Sequence, residues 1–129
     1  AQREVIEDTL LIALMRSGQA AKARALLDRA RPTAVFCFGD LIAMGVLQVA
    51  GERGIRVPAD LSIVGFDDQP LAAHFLPPLT TVRQDPDAKG RAAAQAIRQL
   101  LARRTDPDAG APSDVELPVE LVVRQSSMR

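Results

Sequence analysis

The sequence predicts an α/β protein built around a mostly parallel sheet, and three observations support this fold class. Two short apolar runs, residues 33–38 and 61–66, are bounded by proline and glycine, which is typical of strands buried on both faces. Helical patterns alternate with these runs along the chain. The length of 129 residues allows one domain of ordinary size.

The first quarter of the chain favours helix. Residues 6–14 are densely apolar, and we predict a helix there that Ser17 and Gly18 interrupt. A second helix is predicted over residues 20–30, where apolar side chains recur at helical spacing. Pro32 ends it, because the residue before a proline is pushed out of the α region.

The first apolar run leads into another predicted helix. Gly39 and Asp40 form a turn, with Asp40 as the helix N-cap. The helix covers residues 41–53, and Gly54 ends it at the position just past the C-cap, where glycine is favoured.

The second apolar run ends in Asp67 and Asp68, with no helix start beside them. Residues 69–78 contain three prolines and are predicted to be irregular. Residues 79–84 alternate between apolar and polar side chains and form a third predicted strand.

The last third combines one helix and one extended stretch. Residues 85–104 keep a clear helical period and begin with Asp85 as N-cap and Pro86 as the first helical residue. Residues 115–123 are predicted to be extended, and Pro118 makes this an edge strand or a bent one.

Composition excludes several classes of function. Sixteen basic residues balance sixteen acidic ones, so no basic patch is available to hold nucleic acid. No apolar run approaches the 18 residues of a membrane span. One cysteine, Cys37, excludes an internal disulfide and a cysteine-based zinc site, and we interpret it as a core residue. The first residues carry no secretory signal, which favours a cytoplasmic location.

Candidate site residues follow the two buried runs. Ligands of open parallel sheets bind outside the carboxyl ends of the strands, which is where Gly39, Asp40, Asp67 and Asp68 fall. An aspartate there could accept hydrogen bonds from sugar hydroxyls or from a base N–H. For Asp40 the alternative is a capping role without ligand contact; for Asp67 we favour ligand binding.

Evidence for catalysis is weak. His74 has no serine or cysteine nucleophile placed beside it in a known pattern, and a surface or interface histidine is the better interpretation. Phosphate-binding glycine motifs and metal-ligand spacings are both missing from the sequence. We therefore expect neither an enzyme nor a cofactor or metal site.

Five segments give a family resemblance. They read RPTAVF at 31–36, GDLIAMG at 39–45, RVPADLSIVGFDD at 56–68, PPLTTVRQ at 77–84 and LVVRQSS at 121–127. In this order and spacing they resemble the lactose/galactose repressor (LacI/GalR) family of bacterial transcriptional regulators. The resemblance covers Gly18 to Ser127.

The resemblance implies a periplasmic-binding-protein-like type I fold, a parallel-sheet sandwich of two lobes. Residues 18–68 and 115–127 would belong to the second lobe, and residues 79–104 would be the crossover strand and helix of the first. The family's helix-turn-helix DNA-binding domain has no counterpart here, so operator DNA would be contacted only through that missing domain. The apolar face of the helix over 85–104 then needs another partner: a second copy of the chain, or its own sheet.

The resemblance also assigns effector-binding positions. Asp67 matches the aspartate that binds sugar hydroxyls or equivalent effector groups, Gln84 matches a glutamine in the crevice, and Pro86 lies beside it. Gly39 stands where the family usually has an effector-binding asparagine, and some members that bind nucleobases carry glycine there. The family's stacking aromatic is replaced by residues 12–14, which read IAL.

The family's subunit interface maps onto one helix and one loop. Leu41, Met44, Gly45 and Gln48 would pair across the axis of a homodimer, and Phe75 matches a bulky interface residue. The alternative for this apolar stripe is ordinary core packing.

The leading functional hypothesis is therefore the effector-binding and dimerisation part of a repressor, with a sugar or nucleobase-like effector. The alternative is a periplasmic sugar-binding protein of an ABC transporter, against which the repressor form of residues 75–81 argues. A small flavodoxin-like enzyme lacks a supporting motif.

Overall fold

The computed structural model describes residues 9–12, 19–106 and 110–127. Strands and helices alternate along this part of the chain. In order they are β1 (Thr9–Ile12), α1 (Gln19–Ala30), β2 (Ala34–Cys37), α2 (Asp40–Glu52), β3 (Ser62–Asp67), a 3₁₀ helix (Pro70–His74), β4 (Thr80–Gln84), α3 (Pro86–Ala102), β5 (Val119–Val122) and a second 3₁₀ helix (Gln125–Ser127).

The strands form one sheet in the order β1-β2-β3-β4-β5. The first four run parallel, with Val35 opposite Ile63 and Val64 opposite Thr80. Parallel neighbours need crossover connections, and α1 and α2 supply them between β1, β2 and β3. The predicted α/β class with a mostly parallel sheet is confirmed.

The prediction of a helix over residues 6–14 was wrong for residues 9–12, the part of this range that the structure describes. Thr9–Ile12 forms β1, which pairs in parallel with β2 from Thr9 opposite Ala34 to Ile12 opposite Cys37. A short continuous apolar run fits a buried strand as well as a buried helix, and periodicity does not separate the two. Pairing with β2, which is distant in sequence, decides the outcome. Ala13, Leu14 and the predicted break at Ser17 and Gly18 lie outside the described residues.

The core lies between α2 and the centre of the sheet. Ala43, Val46 and Val49 of α2 are almost fully buried, as are Val35 and Ile63 of the neighbouring strands. Ala23 and Leu27 extend this core from α1.

Cys37 belongs to the same core, as predicted, and is fully buried. Burial, together with the nearby negative charge of Asp40, raises the pKa of the Cys37 thiol to about 12. The thiol therefore stays protonated and packs as a small apolar group.

The chain divides into two compact units, Ala1–Arg83 with Leu121–Arg129, and Gln84–Glu120. The first unit contains the core described above. The second contains α3, whose side chains Ile97, Leu100 and Leu101 are each more than half exposed. The division of the chain between two lobes stays a prediction.

Candidate functional site

The carboxyl ends of β2 and β3 bring two predicted site residues together. Gly39 follows β2, and Asp67 is the last residue of β3. A Cβ atom added to Gly39 would lie 3.7 Å from the Asp67 Oδ2 atom. Gly39 and the Asp67 carboxylate are therefore neighbours.

Asp40 does not have its predicted role as the helix N-cap. Helix α2 begins at Asp40 itself, and its N-cap is Gly39, which offers no side-chain hydrogen bond. The Asp40 side chain is fully buried. Its Oδ1 atom accepts a hydrogen bond from Thr81 Oγ1 at 2.6 Å, and its Oδ2 atom accepts one from the backbone N–H of Gln69 at 2.7 Å.

These contacts make Asp40 a positioning residue for the crevice. Its carboxylate lies in the first turn of α2, where the helix dipole favours negative charge. It joins α2 to β4 and to the loop after β3. Both oxygens of this fully buried carboxylate already accept hydrogen bonds, and an effector contact by Asp40 stays a prediction.

Gly65, in the middle of β3, was missed by the sequence analysis. A Cβ atom there would collide with Asp40 Oδ1 and would lie 2.8 Å from Leu79 Cδ2. A glycine inside a strand often marks such a close approach, and this was the available signal. Gly65 makes room for the buried Asp40 carboxylate.

We predict that Gly65→Ala lowers the free energy of unfolding by about 2 kcal/mol or more, because the added methyl group must displace Asp40 or Leu79. Urea denaturation measures the change. The matched control is Gly51→Ala in α2, where no atom lies within 4 Å of the added Cβ; it should raise stability by up to about 1 kcal/mol. Equal effects of the two substitutions would contradict the proposed role of Gly65.

The backbone after β3 turns through an unusual conformation. Asp67 has φ 104° and Asp68 has φ 50°, both in the region that favours glycine. Non-glycine residues there cost about 1–3 kcal/mol each, and such strain persists only when surrounding contacts impose it. The turn holds the half-buried Asp67 at the crevice edge.

Asp68 supplies those contacts. Its Oδ2 atom accepts a hydrogen bond from Arg83 Nε at 2.7 Å, and its Oδ1 atom accepts one from Arg124 Nη2 at 2.7 Å. The Asp68 side chain is 8% exposed, and that of Arg124 is 19% exposed. Burial by itself opposes ionisation of Asp68, but the hydrogen bonds from Arg124 and Arg83 outweigh it and hold the pKa of Asp68 below its ordinary value.

The segment after β5 fixes Arg124 in place. Arg124 Nη1 donates to the backbone oxygen of Leu79 at 2.8 Å. Ser126 Oγ accepts from the Thr80 backbone N–H at 2.8 Å and donates to the backbone oxygen of Ile63 at 2.6 Å. The end of the chain thus ties β3 to β4 beneath the crevice, a role that the sequence showed only as part of the family motif.

We predict that Asp68→Asn lowers the free energy of unfolding near neutral pH by about 3 kcal/mol, since it leaves two guanidinium groups without their carboxylate. The depressed pKa stabilises the wild-type fold above the ordinary aspartate value of about 3.9. This contribution is lost as the pH falls through the lower folded-state pKa.

Urea denaturation between neutral pH and pH ~3 measures both effects of the Asp68 substitution. The difference between wild type and Asp68→Asn should shrink as the pH falls. Arg24→Gln is the control, because its pair with Glu52 is about half exposed and should matter little. A pH-independent difference would contradict the ion-pair explanation.

Two predicted effector residues lie in the second unit. Gln84 is its first residue, and the Gln84 Oε1 atom accepts a hydrogen bond from Lys89 Nζ at 3.4 Å. Pro86 is exposed and is the first residue of α3, with Asp85 as N-cap accepting from the Ala88 backbone N–H at 2.8 Å. The helix start was predicted correctly, and the effector contacts of Gln84 and Pro86 stay predictions.

The predicted interface residues divide into two groups. Leu41 and Met44 of α2 are 51% and 41% exposed. Gln48 shares that face and donates from Nε2 to Glu52 Oε1 at 3.1 Å, while Gly45 is half-buried. Phe75, by contrast, is only 8% exposed and packs in the core of this unit.

The interface role of Phe75 stays a prediction, although its side chain is largely buried within this unit. Phe75 belongs to the same core cluster as Ala72 and Leu79. The neighbouring Leu76 is 91% exposed instead. A bulky residue in a proline-rich loop suits either environment, and the motif alone did not decide between them.

The remaining functional candidates find no support in the geometry. His74 is exposed at the end of the first 3₁₀ helix. Among the described residues, no cluster of histidine, cysteine or carboxylate side chains has the arrangement of a metal site. None of the described helices is long and apolar enough to cross a membrane.

Comparison with known proteins gives consistent matches. Residues 2–127 match the family described as periplasmic binding protein-like domain. The chain is 40% identical over 111 residues to the HTH-type transcriptional repressor PurR of Yersinia enterocolitica, which covers 85% of this chain and 31% of that repressor. The chain therefore spans about a third of the length of such relatives.

Solved structures with the same fold are also regulators. The transcriptional regulator CelR in complex with cellobiose matches with a TM-score of 0.72 and 38% identity, over 84% of this chain and 32% of that one. The lac repressor dimer bound to operator and the anti-inducer ONPF matches with a TM-score of 0.69 and 31% identity. This match covers 86% of this chain and 32% of that one. The chain belongs to the periplasmic binding protein-like family, as the C-terminal part of the effector-binding region of a LacI-type transcriptional regulator.

Proposed function

We propose that this chain binds a small-molecule effector at the carboxyl ends of β2 and β3 and contributes to the dimer contact of a repressor. The observation that carries the proposal is the placement of Asp67. Its carboxylate lies next to Gly39 at the carboxyl ends of β2 and β3, on a strained turn that the Asp68 ion pairs stabilise. Strain held in place by such contacts is typical of ligand sites.

The effector class follows from the hydrogen-bonding character of the site. A carboxylate accepts hydrogen bonds and therefore selects a ligand that donates them, such as vicinal sugar hydroxyls or the N–H of a nucleobase. Gly39 adds no side-chain donor beside Asp67. CelR was solved with cellobiose, which supports the sugar alternative, whereas the glycine at position 39 supports a nucleobase.

Effector binding would control DNA binding by population shift. An effector that binds one arrangement of the two lobes better than the other shifts the equilibrium between them. In this proposal the shift reaches operator DNA through a helix-turn-helix domain outside this chain, in the cytoplasm and without catalysis. Relatives named as transcriptional repressors support this scheme over the periplasmic transport alternative.

We predict that Asp67→Asn in the full-length gene product weakens effector binding by about tenfold or more, because the charge-assisted hydrogen bonds to the ligand are lost. Isothermal titration calorimetry with cellobiose and with hypoxanthine tests the sugar and nucleobase classes in parallel. The fold should persist, as judged by circular dichroism.

Asp114→Asn is the matched control for the Asp67 substitution, since Asp114 is an exposed aspartate away from the crevice residues in sequence. It should leave the affinity unchanged. If the ligand that binds the wild type binds Asp67→Asn equally well, the assignment of Asp67 is wrong. Binding of neither ligand by the wild type would count against both effector classes.

For the dimer contact, we predict that Leu41→Asp combined with Met44→Asp shifts the full-length protein from dimer to monomer, since two charges would enter an apolar interface. Sedimentation velocity measures the shift. Ala25→Asp, on the exposed face of α1, is the control and should stay dimeric. A dimer that survives the double substitution would exclude this face as the contact.

A further inference from the structure

The first unit contains a cavity at the amino edge of the sheet, opposite the crevice. Its walls include Pro32, which precedes β2, and Leu61, which precedes β3. Leu61 and Asp67 are six residues apart along the strand, which is about 20 Å at the usual strand rise. The volume of about 430 Å³ falls within the range of small-molecule sites.

The cavity has an apolar floor and a charged rim. Leu27, Pro32 and Leu61 are buried and Ile55 is half-buried, so the floor suits an apolar group. The charged side chains that line the cavity are Asp28, Arg31, Arg53 and Asp60.

Three of these four charges are already paired. Arg53 donates to Asp28 through Nε at 3.0 Å and Nη2 at 2.6 Å. Asp60 accepts two hydrogen bonds from Arg56, from Nε at 2.8 Å and from Nη2 at 2.7 Å. Within residues 19–106 and 110–127, no carboxylate pairs with Arg31. The rim therefore presents one uncompensated positive charge.

Arg31 also has an unusual backbone conformation. Arg31 follows the last residue of α1 and has φ 43°, in the left-handed region where glycine is the usual residue at a helix end. An arginine in this conformation costs stability that a glycine would not. Because Arg31 also precedes a proline, its backbone is doubly restricted. Nothing in the helix end itself requires the guanidinium group.

We propose that this cavity binds a small organic anion, namely a carboxylate attached to an apolar ring, as a site separate from the effector crevice. The Arg31 guanidinium donates to the carboxylate, and the ring rests on Leu27, Ile55 and Leu61. A monoanion suits the rim because only one positive charge is uncompensated. The ligand is of the opposite type from the crevice effector, which must donate hydrogen bonds to Asp67.

The test is an NMR titration of the full chain with benzoate, with uncharged benzamide as a matched probe. Benzoate should shift the amide signals of Leu27, Ile55 and Leu61 and leave those of Gly39 and Asp67 unchanged. Benzamide should bind about tenfold more weakly, since it lacks the charge-assisted hydrogen bonds.

Arg31→Gly removes the guanidinium group and also relieves the backbone strain at position 31. It should lower benzoate affinity about tenfold while leaving the melting temperature equal or higher, which separates a binding effect from unfolding. Arg29→Ala, in the last turn of α1 and outside the cavity lining, is the control and should bind benzoate as the wild type does. Asp28→Asn should tighten binding, because it releases Arg53 to a second hydrogen bond with the ligand.

Several results would overturn the proposal. These are the absence of saturable benzoate binding at millimolar concentration, shifts that map to the crevice, equal binding of benzamide, and unchanged affinity in Arg31→Gly. Because the cavity and Asp67 lie at opposite edges, loss of benzoate binding would leave the effector proposal intact, and the reverse also holds.

Discussion

The carboxylate of Asp40 holds together three segments that are far apart in the sequence. It starts α2, accepts from Thr81 in β4, and accepts from the Gln69 backbone after β3. Burying a carboxylate costs free energy unless its oxygens accept hydrogen bonds, so a fully buried Asp40 depends on the residues that surround it. Gly65 gives it space and Thr81 gives it a donor. The positions of Gly39 and Asp67 at the crevice follow from these contacts.

The second constraint is the strained turn at Asp67 and Asp68. Left-handed backbone at two consecutive aspartates costs about 1–3 kcal/mol each. Hydrogen bonds to charged groups contribute about 1.5–3 kcal/mol each, and Asp68 receives one from Arg83 and another from Arg124. The two magnitudes are comparable, so the ion pairs offset the strain. Asp68 stabilises the turn, and Asp67 lies half-buried at the end of β3.

The sequence was informative where local pattern decides structure and uninformative where distant partners do. The buried runs of β2 and β3, the helix end at Gly54 and the start of α3 at Asp85 were predicted correctly from local signals. Residues 9–12 became a strand through pairing with β2, and Asp40 became a buried acceptor through Thr81. Both outcomes depend on residues 22 or more positions away, which no local pattern contains.

The same distinction explains which site residues were found. Asp67 was proposed as a ligand residue because it ends a buried run with no helix to cap and matches the family motif, and this role stays a prediction. Asp68, Arg83 and Arg124 act only as a group, and Arg124 comes from the far end of the chain. The sheet gives the two edges opposite chemistry: an acceptor carboxylate at the carboxyl edge and a donor guanidinium at the amino edge. A single ligand would not satisfy both groups, so the two proposed sites require ligands of different types.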